Sequence, residues 1–132
     1  MTAQPQPKFE PLTPLESERQ LRWVLNQLTR AQADLRDARD EEVAAKHVFE
    51  RTKRRALLSG GCPKVTRGGH TTADRDAWVD EQSATQRETY ELAEAKRRAA
   101  EDHLRTLRDQ SMVMATLAKS VHQAYQMSGV DR

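Results

Sequence analysis

The chain has a single cysteine, Cys62, so no disulfide can form within it and a disulfide-stapled fold is excluded. It has no apolar run long enough to span a bilayer and no stretch patterned like a signal peptide, which points to a reducing cytoplasm and away from a membrane. Helix breakers are confined. Prolines stand only at 5, 7, 11, 14 and 63, and glycines only at 60, 61, 68, 69 and 129. Two runs, Leu15 to Ser59 and His70 to Ser128, are therefore free of both.

What is present fits long helices better than a thick globule. At 132 residues the chain is one domain's worth, and its 36 % hydrophobic and 32 % charged residues suit helices packed along a narrow seam. The net charge of +2 argues neither for nor against an anionic partner.

The first run opens on Thr13-Pro14-Leu15-Glu16: an N-cap threonine, a proline at the first helical position and a glutamate three residues after the cap. Beyond it, positions 21, 24, 28, 31, 35, 38, 42, 45, 49, 52 and 56 step alternately by three and four. Nine of these eleven are apolar, the period of a coiled-coil seam, with Glu42 and Thr52 the exceptions. An acid on a seam fixes register or finds an arginine, and Arg97 on the second run's seam is a candidate partner. The second run starts from Thr71 or Thr72 and places carboxylates in its first turn. Its seam, 90, 93, 97, 100, 104, 107, 111, 114, 118, 121 and 125, is regular from Ala100 onward and sparse near the loop.

These signals predict an all-α fold, a long antiparallel two-helix coiled-coil hairpin: a Pro-rich disordered arm over 1–12, a helix over about 14–58, a Gly-rich loop over about 59–71 and a helix over about 72–127. A turn centred near Val65 would set Leu21 beside Asp109 and Leu15 beside Ala115. The second helix would then outrun the first from about Thr116 to Met127, leaving Leu117, Val121 and Tyr125 to be covered by the arm or by another subunit. Self-association or a protein partner is expected there. Trp78 is expected to staple the loop, and Trp23 to edge the seam.

The stretch Ser59 to Thr72 holds four of the five glycines, Cys62 and His70. It does not make a phosphate loop, since Lys64 follows Pro63, Val65 separates it from Thr66, and a helix rather than a strand precedes it. Cys62 and His70 are one thiol and one imidazole where a structural zinc site needs four ligands. A nucleophilic cysteine would need a base and a water-excluding pocket that a thin hairpin does not offer. The expectation is therefore no enzyme, no metal and no cofactor. Charge tells more. From Arg51 to Ala73 the chain carries Arg51, Lys53, Arg54, Arg55, Lys64 and Arg67 and no acid, while the remainder is net acidic. Such a tip suits contact with nucleic-acid backbone, without sequence readout; the same cations also complement the dipole of a helix's last turns, and both readings stay open.

The capped alanine- and arginine-rich first helix, the turn Lys64-Val65-Thr66-Arg67-Gly68-Gly69, the segment Thr72-Ala73-Asp74-Arg75-Asp76-Ala77-Trp78-Val79 and the later Asp102-His103-Leu104-Arg105-Thr106-Leu107-Arg108-Asp109-Gln110 together resemble a group of small coiled-coil proteins encoded by actinobacterial phages and prophages. The resemblance implies a phage protein of the host cytoplasm, from an early replication or recombination gene block, and transfers no activity to named residues. The expected function is an accessory to DNA metabolism acting by binding. The alternative is a structural or assembly protein, a virion-assembly chaperone or scaffold, with no nucleic-acid contact.

Overall fold

The computed structural model describes residues 12–130. Three helices follow in order, α1 (Pro14–Leu58), α2 (Thr72–Gln82) and α3 (Ala84–Val130), and the described residues contain no strand. The Pro-rich arm expected over 1–12 lies outside the described residues except for Leu12, which is half-buried. No described helix is long and apolar enough to cross a membrane.

α1 starts where its capping residues dictate. The Thr13 hydroxyl accepts from the Glu16 amide at 3.2 Å, and the Thr13 amide donates to Glu16 Oε2 at 3.3 Å, so two otherwise unpaired donors are satisfied reciprocally. It ends at Leu58, where the Ser59 hydroxyl donates to the Ala56 carbonyl at 2.9 Å and the glycine pair Gly60-Gly61 follows. All eleven of its expected seam positions are buried or half-buried.

The chain forms two compact units. The described residues through Arg30, with those from Arg105 onward, make a terminal unit, and Ala31–Leu104 make a loop-bearing unit. In the loop-bearing unit Ala31, Leu35, Ala56, Val79, Ala93 and Leu104 are buried. Here Glu42 on α1 meets Arg97 on α3, the partner its seam position calls for. Lys96 Nζ donates to Glu41 at 3.3 Å, Arg39 lies 3.7 Å from Glu101, and the Phe49 and Tyr90 rings stack with centroids 6.1 Å apart. Partner numbers fall along α3 as they rise along α1. In the terminal unit Val24, Leu107 and Ala118 are buried, with the Ser17 hydroxyl donating to the Pro14 carbonyl at 2.8 Å.

Two expectations need correction. The second helix is not continuous over 72–127: it breaks at Ser83, whose backbone leaves helical geometry (φ −108°, ψ 10°) while its buried hydroxyl donates to the Val79 carbonyl at 2.8 Å. The Ser83 hydroxyl shares that carbonyl with its own amide, and Thr29, Thr52, Thr89, Thr116 and Ser120 make the same side-chain bond within unbroken helices, so the bond accompanies the break and does not cause it. The turn is also not centred near Val65. Because α2 is a separate segment whose Trp78 ring packs against Gly61, the connection between α1 and α3 runs from 59 to 83, with its middle near residue 71. Partners accordingly shift along α3. In the terminal unit Glu18 Oε1 lies 4.0 Å from His122 Nε2, where the expected register would have placed Leu15 beside Ala115. The expected overhang from Thr116 to Met127 is thus partly covered: Ala118 is buried and Val121 half-buried.

Candidate functional site

The basic end of the loop-bearing unit is assembled from the last turns of α1 and the loop that follows. Arg51, Lys53, Arg54 and Arg55 stand on α1, and Arg51, Arg54 and Arg55, spaced by three and four, share one face. The loop is tightly specified. Thr66 to Gly69 form a β-turn closed by the Gly69 amide donating to the Thr66 carbonyl at 3.1 Å, with Gly68 at φ +81° as the third residue of such a turn requires. A Cβ on Gly69 would lie 2.2 Å from Thr66 Oγ1, so both glycines are structural. The Thr66 amide donates to the His70 carbonyl at 3.3 Å, closing the turn's base and setting Arg67 at its apex.

The start of α2 fixes the other side. Thr71, rather than Thr72, is the N-cap, and its hydroxyl accepts from the Asp74 amide at 3.2 Å while Asp74 Oδ2 accepts from the Thr71 amide at 2.8 Å. The hydrogen bond from the Thr71 amide, foremost, holds the Asp74 carboxyl below its ordinary pKa; the Thr71 hydroxyl bond and nearby His70 act in the same direction. His70 Nδ1 stands 3.9 Å from that carboxylate, and Cys62 Sγ lies 3.8 Å from the Pro63 carbonyl oxygen. No group of three or more metal-ligating side chains occurs among the described residues.

All six cations of this end, Arg51, Lys53, Arg54, Arg55, Lys64 and Arg67, are exposed, and none pairs with a described carboxylate. Lys53 Nζ sits 5.1 Å from the centroid of the Phe49 ring, a cation–π contact that leaves its charge available. The field here is weaker than the six cations alone imply, because α2 brings Asp74, Asp76, Asp80 and Glu81 into the same unit against one further cation, Arg75. Over 51–82 the count is seven cations to four carboxylates. No protein-family model, curated protein or solved structure matches this chain. Its own surfaces carry the functional reading.

A second surface lies in the terminal unit. A groove of about 590 Å³ is lined by Trp23 and Val24 of α1 and by Gln110, Val113 and Met114 of α3, among others. An adjoining depression shares Val113 and includes Met112 and Leu117. Of the three residues expected to seek a partner, Leu117 is on this surface and 41 % exposed, Tyr125 is 52 % exposed, and Val121 is half-buried. Trp23, expected to edge the seam, is 58 % exposed and forms the α1 wall of the groove. The sequence carried a signal for this surface: after Asp109, the described part of α3 has one charged residue, Lys119.

Proposed function

We propose that this chain is a non-enzymatic binding protein, an antiparallel helical hairpin of coiled-coil type, whose basic end contacts nucleic-acid backbone. The observation that carries this reading is that all six cations between Arg51 and Arg67 are exposed and unpaired with any described carboxylate. Outside this end Arg39, Lys96, Arg97 and Arg98 have acidic partners, while other exposed cations such as Arg22 and Arg36 have none among the described residues; what sets this end apart is that residues 51–73 contain no acid. Charges left free at one end are available to displace the counterions of a phosphate chain. Arg51, Arg54 and Arg55 are neighbours on one helix face, with Cβ atoms of the three- and four-spaced pairs about 5–6 Å apart, so their long side chains can engage neighbouring phosphates together. Nothing in this set reads base edges, so the contact is independent of sequence. The resemblance to actinobacterial phage proteins supplies the setting, an accessory to phage DNA replication or recombination in the host cytoplasm.

Titration of a labelled duplex at two salt concentrations tests it. With four of the six cations engaged at once, affinity falls on the order of a hundredfold between about 50 and 200 mM salt. Replacing Arg51, Arg54 and Arg55 together with glutamine should abolish most of that dependence. Binding that ignores these substitutions sinks the proposal. A second reading, an assembly protein without nucleic-acid contact, draws on the exposed apolar surface of the terminal unit; co-purification with a virion component and no DNA binding would favour it.

A further inference from the structure

The terminal unit carries more apolar surface than one seam explains. On α3, Gln110, Val113, Leu117, Ser120, Ala124 and Met127 step by three and four, the same 3.5-residue period as the seam, yet all six are exposed. The seam of this stretch runs beside them, through buried Leu107 and Ala118 and half-buried Met114 and Val121. Val113 is 66 % exposed and Met127 72 %, and from α1 Trp23 adds a side chain 58 % exposed across the groove. Two parallel stripes on one helix are the pattern of a helix that packs against two neighbours. α1 supplies the first.

We propose that the second neighbour is another copy of this chain, docked groove to groove through Trp23, Val113 and Leu117. Charge favours a copy. A two-fold contact presents every residue to its own surroundings, so a face with like charges repels itself. The stripe from Gln110 to Met127 contains no charged residue and Lys119 is not on it; the one charged residue lining the groove, Asp109, precedes the stripe. Area is sufficient for a modest dimer. Eighteen residues of helix extend about 27 Å, and two helices side by side are about 20 Å wide, giving on the order of 500 Å² of face before side-chain relief is counted. That is below the roughly 800 Å² per partner of a standard interface and places the association in the low-area, weak class. The indole of Trp23 is the anchor, filling the partner's groove beside Val113. This contact is independent of the basic end, which belongs to the other unit.

Sedimentation equilibrium of the full chain over a concentration series tests the proposal. The mass should rise from 15.1 kDa toward twice that value as concentration passes through the micromolar range. Val113→Glu on α3 and, separately, Trp23→Gln on α1 should each weaken self-association about tenfold or more, with helical circular dichroism unchanged because both side chains are exposed in the single chain. A chain that stays monomeric at several hundred micromolar overturns the proposal. So does a dimer whose strength neither substitution alters. Deletion of residues 1–11 separates the rival occupant: if the full chain is monomeric and the deletion makes it dimerise, the arm covers the groove and the second copy does not.

Discussion

The two halves of α3 use different chemistry on the same helical backbone. Residues 84–109 carry twelve charged side chains, and residues 110–130 carry one. In the first half ion pairs flank the buried seam: Arg97 reaches Glu42 across to α1 and Glu101 along its own helix, and these two bonds, Glu101 foremost, raise its pKa further. In the second half one long-range polar contact, Glu18 Oε1 with His122 Nε2 at 4.0 Å, is joined by an exposed apolar stripe. The contrast teaches that buried seam and exposed surface are separate features. Both halves bury apolar side chains, Ala93, Leu104 and Leu107 in the first and Ala118 in the second; they differ in what they leave for a partner.

The largest effects come from the shared feature. Leu35→Ala in the loop-bearing unit and Leu107→Ala in the terminal unit each remove a nearly buried side chain (7 % and 4 % exposed) and should each cost about 2–3 kcal/mol in urea unfolding, at the low end for core leucines because the seam is thin. Unequal costs, with Leu107 near zero, would mean that the terminal unit is not held by its seam. Gly68→Ala forces a side chain into φ +81° and should cost about 1 kcal/mol. Hydrogen exchange should localise that loss to residues 59–82 and leave the terminal unit's protection intact.

Smaller effects probe the ionic half. Glu42→Gln leaves Arg97 with Glu101 alone and should lower the unfolding temperature. Exchanging the pair, Glu42→Arg with Arg97→Glu, should recover part of the loss relative to either reversal alone. The pair keeps about a fifth of its side-chain surface in water, at 19 % and 23 %, so the change is less than for the leucines. The smallest effect concerns pH. Asp74 has its pKa lowered on folding, so it stabilises α2 above the ordinary carboxylate pKa of 3.8, and that contribution disappears as pH falls through the lower folded value. Amides at the start of α2 should lose exchange protection in that window, and Asp74→Asn should flatten the change.

Much of the fold was legible because its signals are local. Thr13-Pro14 and Glu16 mark where α1 begins, Gly60-Gly61 mark where it has ended, and the three-four stepping from Leu21 to Ala56 identifies its buried side. The register was not. A turn centred near Val65 and a Glu42–Arg97 pair imply different alignments, and sequence alone held both; the structure selects the pair because the second helix breaks at Ser83 and α2 joins the connection. No helix breaker marks that break, since residues 70–128 hold neither glycine nor proline, and Ser83 is one of several serines and threonines that bond back along a helix. At the basic end the cations were legible, but the compensating acids of α2 were counted with the remainder of the chain. The second stripe is hard to see in the sequence because Leu117 fits an unpartnered helix end as well as a period with Val113 and Met127, and Gln110 and Ser120 interrupt that period.

The charged and uncharged ends are proposed to bind by different physics. Sedimentation velocity of the full chain with a fluorescent duplex, at about 50 and 200 mM salt, tests it directly. The account predicts that the protein–duplex complex is lost at the higher salt while the protein's own dimer persists, because apolar burial is not screened. Dimer and complex disappearing together, or a complex that survives the higher salt undiminished, would contradict it.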